Sequence, residues 1–276
     1  MKNSFFFTCT VLLFAALALT GCGDANSRYD RLAVRLMDKN GLFAEGPDWE
    51  AARQEALADL LRADGHKTPV YSPGLEADWF IFPLPTAAHP LLGTLRPGSR
   101  VLTGGAAGRW PDLHLRDYYD SEAVQVLNAA ITAEGAIGEA IRASDRTLWD
   151  SDVLILGYGR IGRALASRLR GLGCRETVCA RREESRAEAR AEGCRVLDEP
   201  GEGMGFDYLF NTVPEPILDR APKGTVCLEL ASKPGGFRDL RGVLPCPGLP
   251  GKTAPVTAAR VLKASIDRIL KEENQL

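Results

Sequence analysis

Histidine is scarce in this chain of 276 residues. There are three, His66, His89 and His114, and none follows position 114. Cysteine pairing is also lacking. The seven cysteines (Cys9, Cys22, Cys174, Cys179, Cys194, Cys227 and Cys246) are odd in number and form no C-x-x-C motif. A disulfide framework and a zinc site are therefore not indicated, and no metal is expected. The scatter fits a reducing compartment, with cysteine used as a small hydrophobe. An excess of either charge is missing too, since the formal net charge is -2. The arginines between 160 and 195 alternate with glutamates, which reads as solvated helix faces and excludes a nucleic-acid-binding surface. What is present is a 45% hydrophobic composition, enough for packed cores, in a length that suits two modest domains.

Residues 1–22 carry two readings. One lysine precedes an apolar run from Phe5 to Leu19, and Leu19-Thr20-Gly21-Cys22 matches a bacterial lipoprotein cleavage box, so the segment reads as an export signal that would leave a lipid anchor on Cys22. The rival is a first β-strand entering the turn Gly21–Asp24, followed by a helix over Ser27–Lys39.

Further along, residues 48–64 have apolar positions at helical spacing. Short apolar runs at Val70–Ser72, Trp79–Pro85 and Arg100–Gly105 read as strands, so residues 23–120 form a small Rossmann-like α/β domain that would bind substrate or a second subunit. One long helix over 121–143, within a joining segment 121–146, carries an apolar stripe. Its internal Gly135 and Gly138 each cost about 1 kcal/mol against alanine, which implies a close contact.

Residues 147–252 alternate strands and helices: Val153–Leu156, Arg160–Gly171, Glu176–Ala180, Arg182–Glu192, Arg195–Leu197, Tyr208–Thr212 and Thr225–Leu230. This order implies a doubly wound parallel sheet. A Gly- and Pro-rich loop over 245–251 leads to a last helix, from Pro255 to Glu272 within the segment 253–276, expected to return to the first domain. The fold class is thus α/β with two Rossmann-like domains.

The chemistry centres on Gly157-Tyr158-Gly159-Arg160-Ile161-Gly162. Four apolar residues precede this G-x-G-x-x-G and a helical segment follows it, which is the context a dinucleotide site requires. Gly157 permits the tight turn, Gly159 lets the pyrophosphate approach the backbone, and Gly162 lets helix and strand pack. The helix N-terminus offers free N–H groups to the phosphates. The next strand ends on Ala180-Arg181-Arg182, with no carboxylate for the ribose hydroxyls of NAD and two guanidiniums suited to a phosphate. NADP is therefore expected, ahead of NAD. Asn211, Thr212 and Val213, with Ala231 and Ser232, end later strands on the carboxyl edge and are candidates for contact with the nicotinamide ribose.

Five segments together resemble the A subunit of dipicolinate synthase: Asn128–Gly135, Leu156–Gly162, Asn211–Pro214, Leu230–Gly236 and Pro247–Pro255. The resemblance covers about residues 78–272. It implies NADP-dependent dehydrogenation of dihydrodipicolinate to dipicolinate during bacterial sporulation, together with a flavoprotein-like B subunit. Homo-oligomer formation is compatible with it.

The substrate is a small dicarboxylate that loses a hydride and a proton and becomes aromatic, so positioning matters more than strong acid–base catalysis. Glu134 on the joining helix is the candidate proton acceptor and Lys233 the second catalytic candidate. Asn128, Thr132, Pro234, Gly235, Gly236, Gly248, Pro250, Gly251 and Lys252 are candidates for holding the substrate. For Glu134 the plain alternative is a salt bridge between domains, and for the two lysines solvent exposure.

Three rival functions remain. A D-2-hydroxyacid dehydrogenase shares the architecture but uses a histidine beyond the dinucleotide motif, and none exists here. A lipid-anchored envelope protein would use Cys22. A dinucleotide sensor would leave the redox step to its partner. Free NADP is a cytoplasmic cofactor, which weighs for a cytoplasmic enzyme without membrane attachment.

Overall fold

The computed structural model describes residues 32–33, 48–71, 74–86, 90–105, 110–200 and 205–275. Two parallel sheets organise the chain. The first contains β1 (Leu32–Ala33), β2 (Trp79–Ile81), β3 (Arg100–Thr103) and β4 (His114–Asp117), in that spatial order. Helix α1 (Asp48–Ala63) crosses from β1 to β2 and packs Leu57, Ala58 and Leu61 on Trp79 and Ile81. Its buried Arg53 and Gln54 donate to the carbonyls of Leu84 and Ile81, the latter at 3.3 Å. These side chains tie the helix to the carboxyl end of β2.

The helix expected over Ser27–Lys39 is not what Leu32 and Ala33 form. They are extended, fully buried, and paired in parallel with Trp79 and Phe80. Leu32 faces the α1 core, and Ala33 faces the opposite cluster around Phe80 and Phe82. Alternate sides of a strand explain this, where one helix face would not. The two readings of residues 1–22, with Cys22, lie outside the described residues. Val70–Tyr71 is not a strand of either sheet. β4 is a strand the sequence does not announce, because His114–Asp117 is mostly polar and only partly covered.

Helix α2 (Glu122–Arg142) spans both halves. Its Val124 joins the first core, while Ala133, Ala136, Ile137 and Ala140 join the second. Gly135 permits a close approach: a Cβ there would lie 2.9 Å from Thr253 Oγ1 and 3.1 Å from Leu249 Cβ. Gly138 has no such neighbour, the nearest atom being the Arg142 guanidinium at 3.8 Å.

The second sheet holds β5 (Asp152–Leu156), β6 (Arg175–Cys179), β7 (Arg195–Leu197), β8 (Tyr208–Asn211), β9 (Val226–Glu229) and β10 (Val243–Pro245) in the spatial order β10-β9-β8-β5-β6-β7. This is the doubly wound dinucleotide-binding topology, with its order reversing between β5 and β8. Helices α3 (Arg160–Gly171) and α4 (Glu183–Ala191) follow β5 and β6. The segment 245–251, expected as loop, instead finishes β10 and begins the short helix α5 (Leu249–Thr253). Its Gly and Pro content hid a helical turn that starts from Gly248 in the left-handed region (φ 66°).

Helix α6 (Pro255–Asn274) packs on α1. Its Ala259, Leu262, Ile266, Ile269 and Leu270 join the first core. Burying each large aliphatic side chain there stabilises the docking by about 1.5–3 kcal/mol. Among the described residues, no helix is long and apolar enough to cross a membrane.

Candidate functional site: a dinucleotide cleft and its neighbour

β5 ends on buried Leu156, and the chain turns at Gly157 with φ +90°. A Cβ on Gly157 would also meet Thr212 Oγ1 at 2.5 Å and Val213 at 2.9 Å, so alanine is excluded by both conformation and space. At Gly162 a Cβ would overlap the Gly157 carbonyl oxygen and lie 3.0 Å from its carbon. At Gly159, the N-cap of α3, a Cβ would meet nothing within 4 Å. That open position faces the start of a helix which no side chain caps. The unpaired N–H groups and the positive dipole end there suit phosphate oxygens. Thr212 fixes the other wall. Its backbone N–H and its hydroxyl donate to the Leu156 carbonyl at 2.9 and 2.7 Å, clamping β8 to β5 at the switch point.

A cleft of about 590 Å³ opens at this edge. Gly157, Tyr158, Gly159, Ala180, Arg181, Arg182, Thr212 and Val213, all expected there, line it. Ser185, Arg186, Asp198, Glu199 and Glu215 line it as well and were not foreseen. Arg181 is exposed and pairs with Glu215 at 3.2 Å. Arg182 donates to Ser185 Oγ at 3.2 Å. Arg186 donates to the carbonyls of Ala180 and Arg181 at 2.9 and 2.5 Å, and its Nε pairs with Asp198 at 3.1 Å. Burial first, then the Asp198 and Glu199 carboxylates, push the Cys179 thiol up to about 11. The Tyr158 side chain is buried, and its hydroxyl donates to Glu192 at 2.7 Å, so Tyr158 serves the cleft through its backbone. Burial and that carboxylate push its phenol well above the ordinary range.

A second cleft of about 190 Å³ adjoins the first and shares Gly159 and Thr212 with it. Arg160 and Ile161 of α3, Asn128 and Ala129 of α2, Gln125 and Tyr119 complete its lining. Asn128 Nδ2 donates to the Tyr119 hydroxyl at 3.4 Å, and Gln125 Nε2 donates to the Tyr119 carbonyl at 3.0 Å. Burial raises the Tyr119 pKa, so the phenol stays protonated and can donate. Arg160 is held by both oxygens of Glu122, at 2.9 and 2.5 Å, across the start of α2. The pair lowers the Glu122 pKa through that hydrogen bond.

Several expected residues lie elsewhere. Glu134 is exposed and ion-paired with Arg168 at 3.0 Å. Arg168 is two helical turns beyond the α3 N-terminus, about 12 Å along the axis, so Glu134 braces α2 to α3 and does not face either cleft. Thr132 donates its hydroxyl to the Asn128 carbonyl at 2.8 Å, back to its own helix. Lys233 and Lys252 are exposed and line neither cleft. Gly248, Pro250 and Gly251 begin α5, which packs against Gly135 of α2 and not against a ligand space.

Asn211 is fully buried and committed to structure. Its Nδ2 donates to Val213 O at 2.9 Å and to Glu229 Oε1 at 2.6 Å, while its Oδ1 accepts from Val213 N. Glu229 also accepts from Ala231 N at 2.9 Å and from Gly236 N at 2.8 Å. Gly235 and Gly236 are glycine because Glu229 and Asn211 press on them: a Cβ on Gly235 would lie 2.8 Å from Glu229 Oε2, and one on Gly236 would run into the Asn211 amide. Ala231, Ser232 and Pro234 belong to this loop and line neither cleft. Glu229 was missed, although a carboxylate closing a strand on the ligand edge is a readable signal. Asp198 offers the same signal at the end of β7.

The model of the D-isomer specific 2-hydroxyacid dehydrogenase NAD-binding domain matches residues 124–214. The A subunit of dipicolinate synthase from Bacillus subtilis (strain 168) is 34% identical over 169 residues, which is 56% of this chain and 57% of that protein. S-inosyl-L-homocysteine hydrolase from Methanocaldococcus jannaschii is 27% identical over 210 residues, 72% of this chain and 49% of that protein. The chain thus spans about half the length of these two relatives. The crystal structure of the dipicolinate synthase A subunit from Bacillus halodurans superposes with a TM-score of 0.69 at 21% identity, covering 88% of this chain and 98% of that one. At that identity the likeness is one of fold. The resemblance read from the motifs is borne out, and the match over residues 124–214 supports a nicotinamide dinucleotide as cofactor.

Proposed function

We propose that this chain is an NADP-using dehydrogenase that converts dihydrodipicolinate to dipicolinate, working in the cytoplasm with a flavoprotein-like second subunit. The observation that carries the reading is the 34% identity to the A subunit of dipicolinate synthase, falling on a chain whose dinucleotide cleft opens into a second cleft lined by polar side chains.

The residues present fit the dinucleotide. The uncapped start of α3, with open space at Gly159, would hold the pyrophosphate. Arg182, Ser185 and Arg186 would surround the ribose phosphate end. The nicotinamide ring, when bound, supplies the hydride acceptor. This chain's own part is to place the substrate in the smaller cleft. Arg160 exchanges Glu122 for a substrate carboxylate, a bidentate pairing that guanidinium geometry favours. The Asn128 amide and the protonated Tyr119 hydroxyl donate to the second carboxylate and fix the plane of the ring. The departing proton goes to solvent at the open mouth of the cleft. Among the described residues no carboxylate, histidine or lysine lines it, and aromatisation of the product drives the step.

That same lining supports a second reading, a dinucleotide sensor whose partner carries the chemistry. Absorbance of the reduced nicotinamide distinguishes the two. Freshly generated dihydrodipicolinate is added to the purified chain and NADP, with and without a cognate B subunit. Reduction in either mixture supports the dehydrogenase. Binding of NADP with no reduction in both mixtures overturns it and favours the sensor.

A further inference from the structure

The end of β6 carries Ala180, where a dinucleotide domain selective for NAD places its ribose-binding carboxylate. A carboxylate is nevertheless there, delivered by the next strand. In the β6–β7 register Cys179 faces Leu197, which sets Asp198 alongside Ala180. Ala180 N donates to the Leu197 carbonyl at 3.3 Å, continuing the ladder to that point. Asp198 lines the large cleft and holds Arg186 Nε at 3.1 Å, while the other arm of Arg186 anchors the Ala180 and Arg181 carbonyls. Arg186 is mostly covered, whereas the Asp198 side chain is 74% exposed.

We infer that Asp198 is the residue that sets cofactor choice, working against the guanidiniums of Arg182 and Arg186 so that the cleft accepts NAD as well as NADP. With NAD bound, the carboxylate accepts from the ribose hydroxyls, as an acidic residue at position 180 would. With a 2′-phosphate, Asp198 repels the ligand and occupies a guanidinium that the phosphate needs. Glu215 occupies Arg181 in the same way on the opposite lip of the cleft. The three arginines and the carboxylates Asp198, Glu199 and Glu215 therefore leave the cleft with no net excess of positive charge. The arginines alone, read from the sequence, suggest a clear NADP preference.

This inference rests on the dinucleotide site proposed above, and calorimetric titration separates the two. Wild type and Asp198→Asn are titrated with NAD, NADP and 2′,5′-ADP. The wild type is expected to bind NAD and NADP within about tenfold of each other. Asp198→Asn is expected to tighten NADP and 2′,5′-ADP and to weaken NAD, moving the ratio about tenfold or more toward the phosphate, the scale of one charged hydrogen bond gained or lost. If the variant, folded by circular dichroism, weakens all three ligands alike or leaves their ratio unchanged, Asp198 only supports the loop and the inference fails. Asp198→Ala, which removes the side chain outright, must shift the ratio in the same direction, and a shift toward NAD overturns the inference. If wild type binds none of the three ligands, the dinucleotide site itself is what fails.

Discussion

Gly159 and Gly162 sit three residues apart at the N-cap and in the first turn of α3, yet alanine should damage the protein in opposite ways at the two positions. At Gly159 the backbone has φ −83°, which any residue adopts, and an added Cβ meets nothing within 4 Å. Folding should therefore be unchanged, within about 0.5 kcal/mol. The methyl group would, however, fill the space through which the pyrophosphate approaches the N–H groups of α3. A loss of about a hundredfold in dinucleotide affinity is expected, equivalent to about 2.8 kcal/mol. At Gly162 the Cβ overlaps the Gly157 carbonyl oxygen, a backbone atom that cannot rotate away. The strand end and the helix would have to separate by about 1 Å, an overpacking strain of about 1–3 kcal/mol. For a chain of this size that lowers Tm by roughly 2–12 °C. Thermal unfolding without ligand and calorimetric titration with NADP test both halves. A Gly159→Ala variant that binds like wild type would show that the pyrophosphate does not cross this loop. A Gly162→Ala variant with wild-type Tm would show that the helix and strand are not packed as tightly as the contact requires.

Glu134→Gln should leave turnover within about twofold and stability within about 0.5 kcal/mol, because an exposed pair such as Glu134–Arg168 contributes little; a collapse of kcat would restore Glu134 as the proton acceptor. Glu229→Gln turns a buried acceptor of three hydrogen bonds partly into a donor facing donors, so a loss of about 1–3 kcal/mol is expected in urea unfolding. Gly138→Ala has open space and should gain about 1 kcal/mol from helix propensity, whereas Gly135→Ala should lose stability and recover part of it when Thr253 is also made alanine. Burial raises the thiols of Cys174, Cys179, Cys227 and Cys246 to about 11 from an unfolded value of 9.0. The folded state therefore holds these protons more tightly, and their contribution is complete below pH 9 and lost as pH rises toward 11. Urea midpoints measured across that window should fall, and they should fall less in a variant with these cysteines replaced by alanine or serine.

What the sequence could reveal followed from whether a residue's role is local. The bounds of α3 and β7 and the three glycines of the phosphate loop are set by neighbours within a few positions, and they match the structure. β4 and β10 are hidden in the sequence because their residues are polar or include proline, and they become strands only through the ladders offered by β3 and β9. The substrate side is hard to read for a related reason. Along the chain, Pro234, Gly235, Gly236, Gly248, Pro250 and Gly251 suggest backbone open to a ligand, since small residues permit close approach. At Gly235 and Gly236 the approach is real, but what comes close is Glu229 and Asn211.

Glycine reports that something lies near, and only the tertiary structure says whether it is a ligand or the protein itself. Charge behaves the same way. Arg181 and Arg182 signal a phosphate when read along the chain, but Glu215 and Asp198 reach the same cleft from β8 and β7 and alter what those arginines can hold. The net potential at the ribose end is thus a property of the ends of β6, β7 and β8 together. A specificity judged from one of them is a judgement on part of the site.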